Sequence, residues 1–228
     1  MKRCRSIPAS LPFHHPKGCC DVIAVIDYGM GNLYSVSRAL ERIGCQVRVT
    51  SDPEEVCRAE GVILPGVGAF GIGMKELKER GLVDVIKEVT LRKRTPLLGI
   101  CLGMQLMFTG SEEHGYHQGL NLLAGHVFRL EGNCNIPHLG WNGLRFNGPH
   151  PLLRGVGEGS VYFAHSYHVI PANPADVLAV TDYCGSITAI VGRNNLFGMQ
   201  FHPEKSGETG RLLLERFVAL CEERVKVG

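Results

Sequence analysis

The 228-residue chain has no stretch approaching 18 consecutive apolar residues, so the sequence predicts no membrane-spanning helix. It has no excess of either charge: 24 Lys and Arg against 22 Asp and Glu leave a formal net charge of +2. That balance gives no electrostatic footprint for nucleic acid or an anionic membrane, and neither is expected as a partner. There is no CxxC and no Cys/His cluster at zinc-finger spacing, so no metal site is expected. Nine cysteines are an odd number, in a chain too long to need a disulfide framework. They read as free thiols in a reducing cytosol, and the predicted location is cytoplasmic. Neither an internal repeat nor a linker divides the chain.

What is present is an ordinary globular composition, 44% hydrophobic and 20% charged. A single domain of this size buries roughly 70% of its unfolded surface. The 29 glycines are unusual and predict tight turns and close backbone approaches. Residues 1–21 stand apart. Lys2, Arg3, Arg5 and Lys17 are basic, no acid precedes Asp21, and Pro8, Pro12 and Pro16 break any periodicity. The segment lacks the apolar core of a secretory signal and is short for a transit peptide. It reads as a basic, disordered leader, or as an over-long start with Val22 as the true one; the domain proper is 22–228.

From Val22 the pattern alternates. The short β-branched run at 22–26 predicts a strand buried on both faces, and 46–50, 61–64 and 96–100 read as further strands. Between them, Leu33, Val36, Leu40 and Ile43 recur at helical spacing, and Asp52-Pro53-Glu54-Glu55 reads as a helix start. Further helices are predicted near 73–80, 82–93 and 102–108. This βα alternation predicts an α/β fold, a doubly wound and mostly parallel sheet, whose ligands bind beyond the carboxyl ends of the strands. In the second half, 125–130, 143–146, 161–169, 177–181, 187–192 and 196–201 look like strands with few helices between, so a mixed or antiparallel extension of the sheet is expected. An amphipathic helix at 207–224 closes the chain.

Three segments at strand ends carry chemistry. Gly99-Ile100-Cys101-Leu102-Gly103 has the G-x-nucleophile-x-G form of an elbow, between a buried strand and a helix. Small residues on both sides permit a sharp turn that lifts Cys101 out of the sheet, at a helix N-terminus that favours thiolate. The Leu102 N–H then points toward an oxyanion. Phe201-His202-Pro203-Glu204 follows another strand and offers an imidazole with a carboxylate to fix its tautomer. Pro65-Gly66-Val67-Gly68 lacks the Lys-Ser/Thr tail of a phosphate loop, and Asp27-Tyr28-Gly29-Met30-Gly31-Asn32 lacks the third glycine of a dinucleotide fingerprint. The former segment is either an oxyanion donor at Val67 or a plain βα turn.

Over residues 22–224 the chain resembles class I, triad-type, glutamine amidotransferases, and among them the glutaminase subunits of imidazole glycerol phosphate synthases. The elbow and His202-Pro203-Glu204 resemble the superfamily as a whole. Asp27-Tyr28-Gly29-Met30-Gly31-Asn32-Leu33, Pro137-His138-Leu139-Gly140-Trp141-Asn142 and Lys205-Ser206-Gly207 are similar to that branch. The resemblance implies that Cys101 attacks the side-chain amide of glutamine and that His202, oriented by Glu204, protonates the departing ammonia. It implies an oxyanion hole from Val67 and Leu102, on a loop misaligned at rest, and glutamine held by Gly66, Gln105, Glu113 and the backbone around Ser166 and Tyr167. No cofactor is implied. The implied partner is a (β/α)8-barrel cyclase subunit that takes up the ammonia to form imidazole glycerol phosphate and an aminoimidazole carboxamide ribotide in histidine biosynthesis. Trp141, the single tryptophan, is the expected interface anchor, and Tyr28, Asn32, Asn142 and Lys205 are further interface or gate candidates. Ile72 departs from the resemblance, standing where the family commonly carries aspartate. Alternatives are a glutaminase serving another pathway, a cysteine hydrolase or protease on a related scaffold, and a non-catalytic partner-binding module. The first would differ in the branch-like motifs, the second has no reason for Gln105 or Glu113, and the third none for a complete Cys101/His202/Glu204 set.

Overall fold

Residues 22–227 are described by a computed structural model of the chain; the predicted leader lies outside the described residues. The first half runs β1 (Val22–Ile26), α1 (Leu33–Arg42), β2 (Gln46–Thr50), α2 (Pro53–Arg58), β3 (Gly61–Leu64), α3 (Phe70–Glu79), α4 (Leu82–Lys87), β4 (Leu97–Ile100) and α5 (Leu102–Leu106). A π-helical segment, Glu88–Arg92, prolongs α4. The α2 start is capped as its sequence predicts: the Asp52 carboxylate accepts the Glu54 N–H at 2.9 Å, and Pro53 fills a first-turn position whose N–H would have no helical partner. The second half contains β5 (Gly110–Ser111), β6 (His117–Gln118), β7 (Gly125–Arg129), β8 (His138–Gly143), β9 (Arg145–Phe146), β10 (Ser160–His165), β11 (Tyr167–Pro171), β12 (Val177–Asp182), β13 (Ser186–Arg193) and β14 (Leu196–Met199), then α6 (Gly207–Val227).

The main sheet has eight strands in the order β2-β1-β3-β4-β14-β13-β12-β9. From β2 to β14 every pairing is parallel, and from β14 to β9 every pairing is antiparallel. Side chains alternate across it, as strand geometry requires. Ile23 and Val25 of β1, with Ile63 and Leu98, pack against Val36 and Leu40 of α1 and Leu213 and Phe217 of α6. Ala24 and Ile26, with Val62 and Leu64, pack instead against Val56 of α2, Phe70 and Leu77 of α3, and Ile86 of α4. Helices therefore cover both faces, which is why these strands read as unbroken apolar runs. The neighbours β3, β4 and β14 release the chain at their carboxyl ends into Pro65-Gly66-Val67, Cys101 and, three residues past β14, His202. Parallel pairing thus brings all three motifs to one edge.

The expected extension of the sheet is only partly realised. Strands β9, β12, β13 and β14 belong to it, but β7 joins β5, β6 and β11 in a four-stranded sheet, and β8 pairs with β10 alone. The run read as one strand at 161–169 is split at Ser166. His165 pairs with His138 of β8, whereas Tyr167 pairs with Arg129 of β7, and the Ser166 carbonyl between them accepts the Leu130 N–H at 2.8 Å. A two-residue period records only that alternate side chains are buried, not which sheet buries them.

Free thiols throughout were also expected, and among the described residues one disulfide contradicts this. Cys134 and Cys184 form a disulfide, Cα to Cα 5.6 Å, across 50 positions. They lie in the segment before β8 and the turn between β12 and β13. The Tyr183 hydroxyl also joins these two loops, donating to the Asn135 carbonyl. Nothing in the local sequence of either cysteine encodes that meeting.

The two-sided core generates a stability prediction. Phe217 is fully buried between α6 and the sheet, whereas Leu139 is 65% exposed. Phe217→Ala is expected to cost about 3–5 kcal/mol in chemical denaturation, and Leu139→Ala less than about 0.5 kcal/mol. Comparable losses from both would contradict the packing described.

Candidate active site

Cys101 occupies a backbone conformation that residues with a side chain rarely adopt, φ 52° and ψ −110°. The flanking glycines explain how the turn is accommodated. A Cβ on Gly99 would lie 2.6 Å from the Met104 nitrogen, and one on Gly103 would collide with the Leu64 carbonyl oxygen of β3. The elbow therefore requires glycine on both sides because α5 packs directly onto the strand ends. Its result is a nearly buried sulfur pointing away from the sheet, 5% exposed.

His202 meets that sulfur. Its Nδ1 lies 2.9 Å from Glu204 Oε1, and its ring also bonds to Cys101. The His202 and Glu204 side chains are 5% and 1% exposed. The turn that holds them is itself pinned: the His202 N–H donates to the Tyr162 carbonyl at 3.0 Å, and the Ser206 hydroxyl donates to the His202 carbonyl while accepting the Tyr162 N–H. Burial alone would lower the pKa of His202. The hydrogen bonds to Cys101 and Glu204, with the charges of both, outweigh it and raise the pKa to about 9. An imidazolium is thus held beside a sulfur nucleophile at neutral pH.

A cavity of about 490 Å³ opens over Cys101. Val67, Gln105, Glu113, Ser166 and Tyr167 line it, as expected, together with Arg129 and His165. The Leu102 N–H, the expected oxyanion donor, is taken: it donates to the Gly66 carbonyl at 3.3 Å. The loop carrying Val67 therefore occupies the expected oxyanion donor with its own carbonyl. Gly66 is buried, and a side chain there would strike the Tyr28 hydroxyl. Glu113 turns one carboxylate oxygen to the Phe70 N–H at the start of α3, 2.7 Å away. In the backbone expected to hold glutamine, two carbonyls are engaged within the fold. Ser166 O accepts from Leu130, and Tyr167 O accepts from Gln105 and His165, each at 2.9 Å.

The expected interface residues separate into two groups. Trp141 is 59% exposed and stands edge-on to Tyr162, whose ring also carries the Lys205 ammonium 5.9 Å from its centroid. These form one patch beside the site. Ile72, the departure from the family pattern, is also exposed, at 55%. Tyr28 is a correction: it is fully buried beneath Gly66 and meets no surface. Burial, reinforced by the nearby Cys101, drives its phenol well above the ordinary range. Asn32 caps α1 by accepting the Ser35 N–H at 3.2 Å. Asn142 is committed internally, donating to the Asp182 carbonyl at 3.0 Å and accepting the Gly143 N–H.

Three polar residues at the site were not singled out in the sequence. Gln200, fully buried, lies 3.7 Å from the Cys101 sulfur. His138 and His165 are bonded to each other, and burial lowers them to about 4 and about 3, so both are neutral. The one signal for Gln200 is a glutamine closing the apolar run Leu196-Phe197-Gly198-Met199.

The comparisons with known proteins agree with this geometry. The family model for glutamine amidotransferase class I matches residues 24–220. Imidazole glycerol phosphate synthase subunit HisH of Geobacillus thermodenitrificans is 54% identical over 209 residues, 89% of this chain and 98% of that protein. The HisH subunit of Moorella thermoacetica is 50% identical over 207 residues, 90% of this chain and 98% of its own. Among solved structures, PurLQS from Thermotoga maritima superposes with a TM-score of 0.71 at 20% identity, covering 88% of this chain and 99% of that one. The glutaminase domain of CTPS from Trypanosoma brucei gives 0.64 at 18%, covering 89% and 94%, and at such identities the likeness is one of fold. With its elbow cysteine, its His-Glu pair and this relatedness along nearly its whole length, the chain belongs to the class I glutamine amidotransferases, in the family of the HisH subunits.

Proposed function

We propose that the chain is the glutaminase subunit of an imidazole glycerol phosphate synthase in histidine biosynthesis, and that it hands ammonia to a separate (β/α)8-barrel cyclase subunit in the cytoplasm. The observation that carries this reading is the buried His202 joined to Cys101 on one side and Glu204 on the other, in a chain half identical to HisH subunits.

The chemistry follows from those groups. Cys101 attacks the side-chain amide carbon of glutamine, forming a C–S bond and placing negative charge on the carbonyl oxygen. The Nε2 proton of His202 passes to the amide nitrogen, the C–N bond breaks, and ammonia leaves a thioester behind. Neutral His202 then takes a proton from water as the hydroxide adds to the thioester. Collapse of that second intermediate releases glutamate and restores sulfur anion and imidazolium. Glu204 stabilises the imidazolium and fixes its Nδ1–H, so that Nε2 serves the substrate. Glu113 and Gln105 are assigned to the substrate, Glu113 to its ammonium. The oxyanion donors are Leu102 N–H and, once the loop turns, Val67 N–H. The Trp141–Tyr162–Lys205 patch is assigned to the barrel subunit, and its exposed aromatic supports that role.

Three outcomes test this reading. Cys101→Ala is expected to abolish glutamine-dependent turnover in the complex while leaving turnover with ammonium salts, measured as imidazole glycerol phosphate formed; loss of both activities contradicts the roles assigned. Because the Gly66 carbonyl occupies Leu102 N–H, the isolated chain is expected to hydrolyse glutamine slowly. The barrel subunit with its nucleotide ligand should stimulate it by about 10²-fold or more, the worth of an oxyanion donor. Fast, unstimulated hydrolysis argues against this coupling. The third outcome concerns pH. His202 titrates near 9 when folded and near 6.5 when unfolded. Its contribution to stability is therefore whole below about 6.5 and lost as pH rises through about 9. Activity should fall along the same limb, and Glu204→Gln should move that limb to lower pH. An alkaline limb indifferent to Glu204→Gln would sink the pairing.

A further inference from the structure

Behind the nucleophile, on the interior side, two side-chain amides and a backbone carbonyl are linked, and the mechanism above uses only Gln105 of them. Gln105 Nε2 donates to the Tyr167 carbonyl at 2.9 Å and to Gln200 Oε1 at 3.1 Å. Gln200 Nε2 in turn points at the Cys101 sulfur, 3.7 Å away. Gln200 is fully buried and Gln105 is 5% exposed, so the hydrogen bond between them lies in the interior. Amide oxygen and nitrogen are interchangeable in shape, and their assignment has to come from the partners. Here the partners decide it. A backbone carbonyl only accepts, so the group of Gln105 facing Tyr167 is its NH2. The second N–H of that NH2 then needs an acceptor, which makes the facing atom of Gln200 its oxygen. The end of Gln200 left for Cys101 is therefore a donor. Turning either amide over sets oxygen against oxygen or N–H against N–H in the interior.

Two consequences follow. A sulfur is a weak acceptor as a thiol and a good one as an anion, so a fixed N–H aimed at it favours the anion. In addition, both N–H groups of Gln105 are spent on the chain. Its Oε1 is what remains for a ligand in the cavity that Gln105 lines, and only a hydrogen-bond donor satisfies it. Glutamine carries two such donors, its amide NH2 and its ammonium.

We propose that Gln200 is a positioning residue for glutamine hydrolysis: its buried side-chain amide supports the reactive state of the Cys101 sulfur and, by the same hydrogen bonds, orients Gln105 toward the substrate. The inference rests on the glutaminase reading and adds one residue and two effects to it. A residue that merely filled core volume would affect stability alone. This one affects the nucleophile and the substrate holder together.

The test uses the complex with the barrel subunit and its nucleotide ligand, comparing wild type, Gln200→Met and Gln200→Glu. Methionine keeps the length and removes both hydrogen bonds. Glutamate keeps the shape and puts a negative charge beside the sulfur. Alkylation of Cys101 by iodoacetamide is followed against pH by mass spectrometry of its peptide, alongside kcat and KM for glutamine and the melting temperature. For Gln200→Met the alkylation midpoint should rise, kcat should fall about 10- to 100-fold, and KM should rise. For Gln200→Glu the midpoint should rise further. If one variant does not fold, the other still reads both effects. A lower melting temperature with midpoint, kcat and KM all at their wild-type values would leave Gln200 a packing residue and overturn the proposal. Failure of the wild-type complex to hydrolyse glutamine would instead overturn the glutaminase reading.

Discussion

The structure turns on a proton that burial ought to remove. His202 lies in a dry pocket, where an imidazolium is costly and a lone histidine gives up its charge, as His138 and His165 nearby do. It keeps its proton because Cys101 and Glu204 are placed on its two ring nitrogens. That placement makes demands on the backbone well beyond the three side chains. The elbow must hold Cys101 at positive φ, Gly99 and Gly103 must carry no side chain, and Ser206 must tie the His202 turn to β10. Parallel pairing of β4 between β3 and β14 then brings the nucleophile, the histidine and the blocked oxyanion loop to the same sheet edge. Any change that tilts one of these strand ends alters the electrostatic support of the histidine.

The parts of this arrangement legible in the sequence are those with local causes. Buried parallel strands are apolar throughout, so β1, β3 and β4 stand out without any partner being known, whereas the edge strand β2 alternates polar and apolar residues. Asp52-Pro53 marks a helix start because cap and first-turn chemistry are local. The elbow is legible because glycine on both sides of a cysteine is a steric requirement of the turn itself. His202 and Glu204 are legible as a pair because two residues and a proline suffice to join them.

What the sequence concealed depends on distant meetings. The break at Ser166 assigns β10 and β11 to different sheets, and only the positions of β7 and β8 explain it. Cys134 and Cys184 are bonded because two loops meet, so counting cysteines misleads. Tyr28 belongs to a glycine-rich turn that reads as surface, yet the ring is buried because Gly66 leaves room for its hydroxyl. Gln200 was hidden for the opposite reason. One polar residue at the end of an apolar strand looks like the strand's exit into solvent, and only the fold reveals that its partners are Gln105 and Cys101.

Under the proposed glutaminase reading, the same geometry would keep the resting site from wasteful turnover. The Cys101 sulfur lies beside His202 in the resting chain, but under the proposed reading attack would not be productive while the Gly66 carbonyl holds the Leu102 N–H. In that state a developing oxyanion would face a carbonyl oxygen, and like partial charges at close range oppose the transition state. The nucleophile and the electrostatic receptor are therefore built on separate elements: Cys101 on the rigid elbow between β4 and α5, the receptor partly on an exposed loop after β3. Val67 on that loop is 44% exposed and lines the cavity mouth with Leu139, so a partner that covers this face contacts the loop directly. Under the proposed reading, control by a second subunit would require no movement of Cys101, His202 or Glu204. It would require one peptide to turn, at a position where glycine imposes the smallest steric barrier.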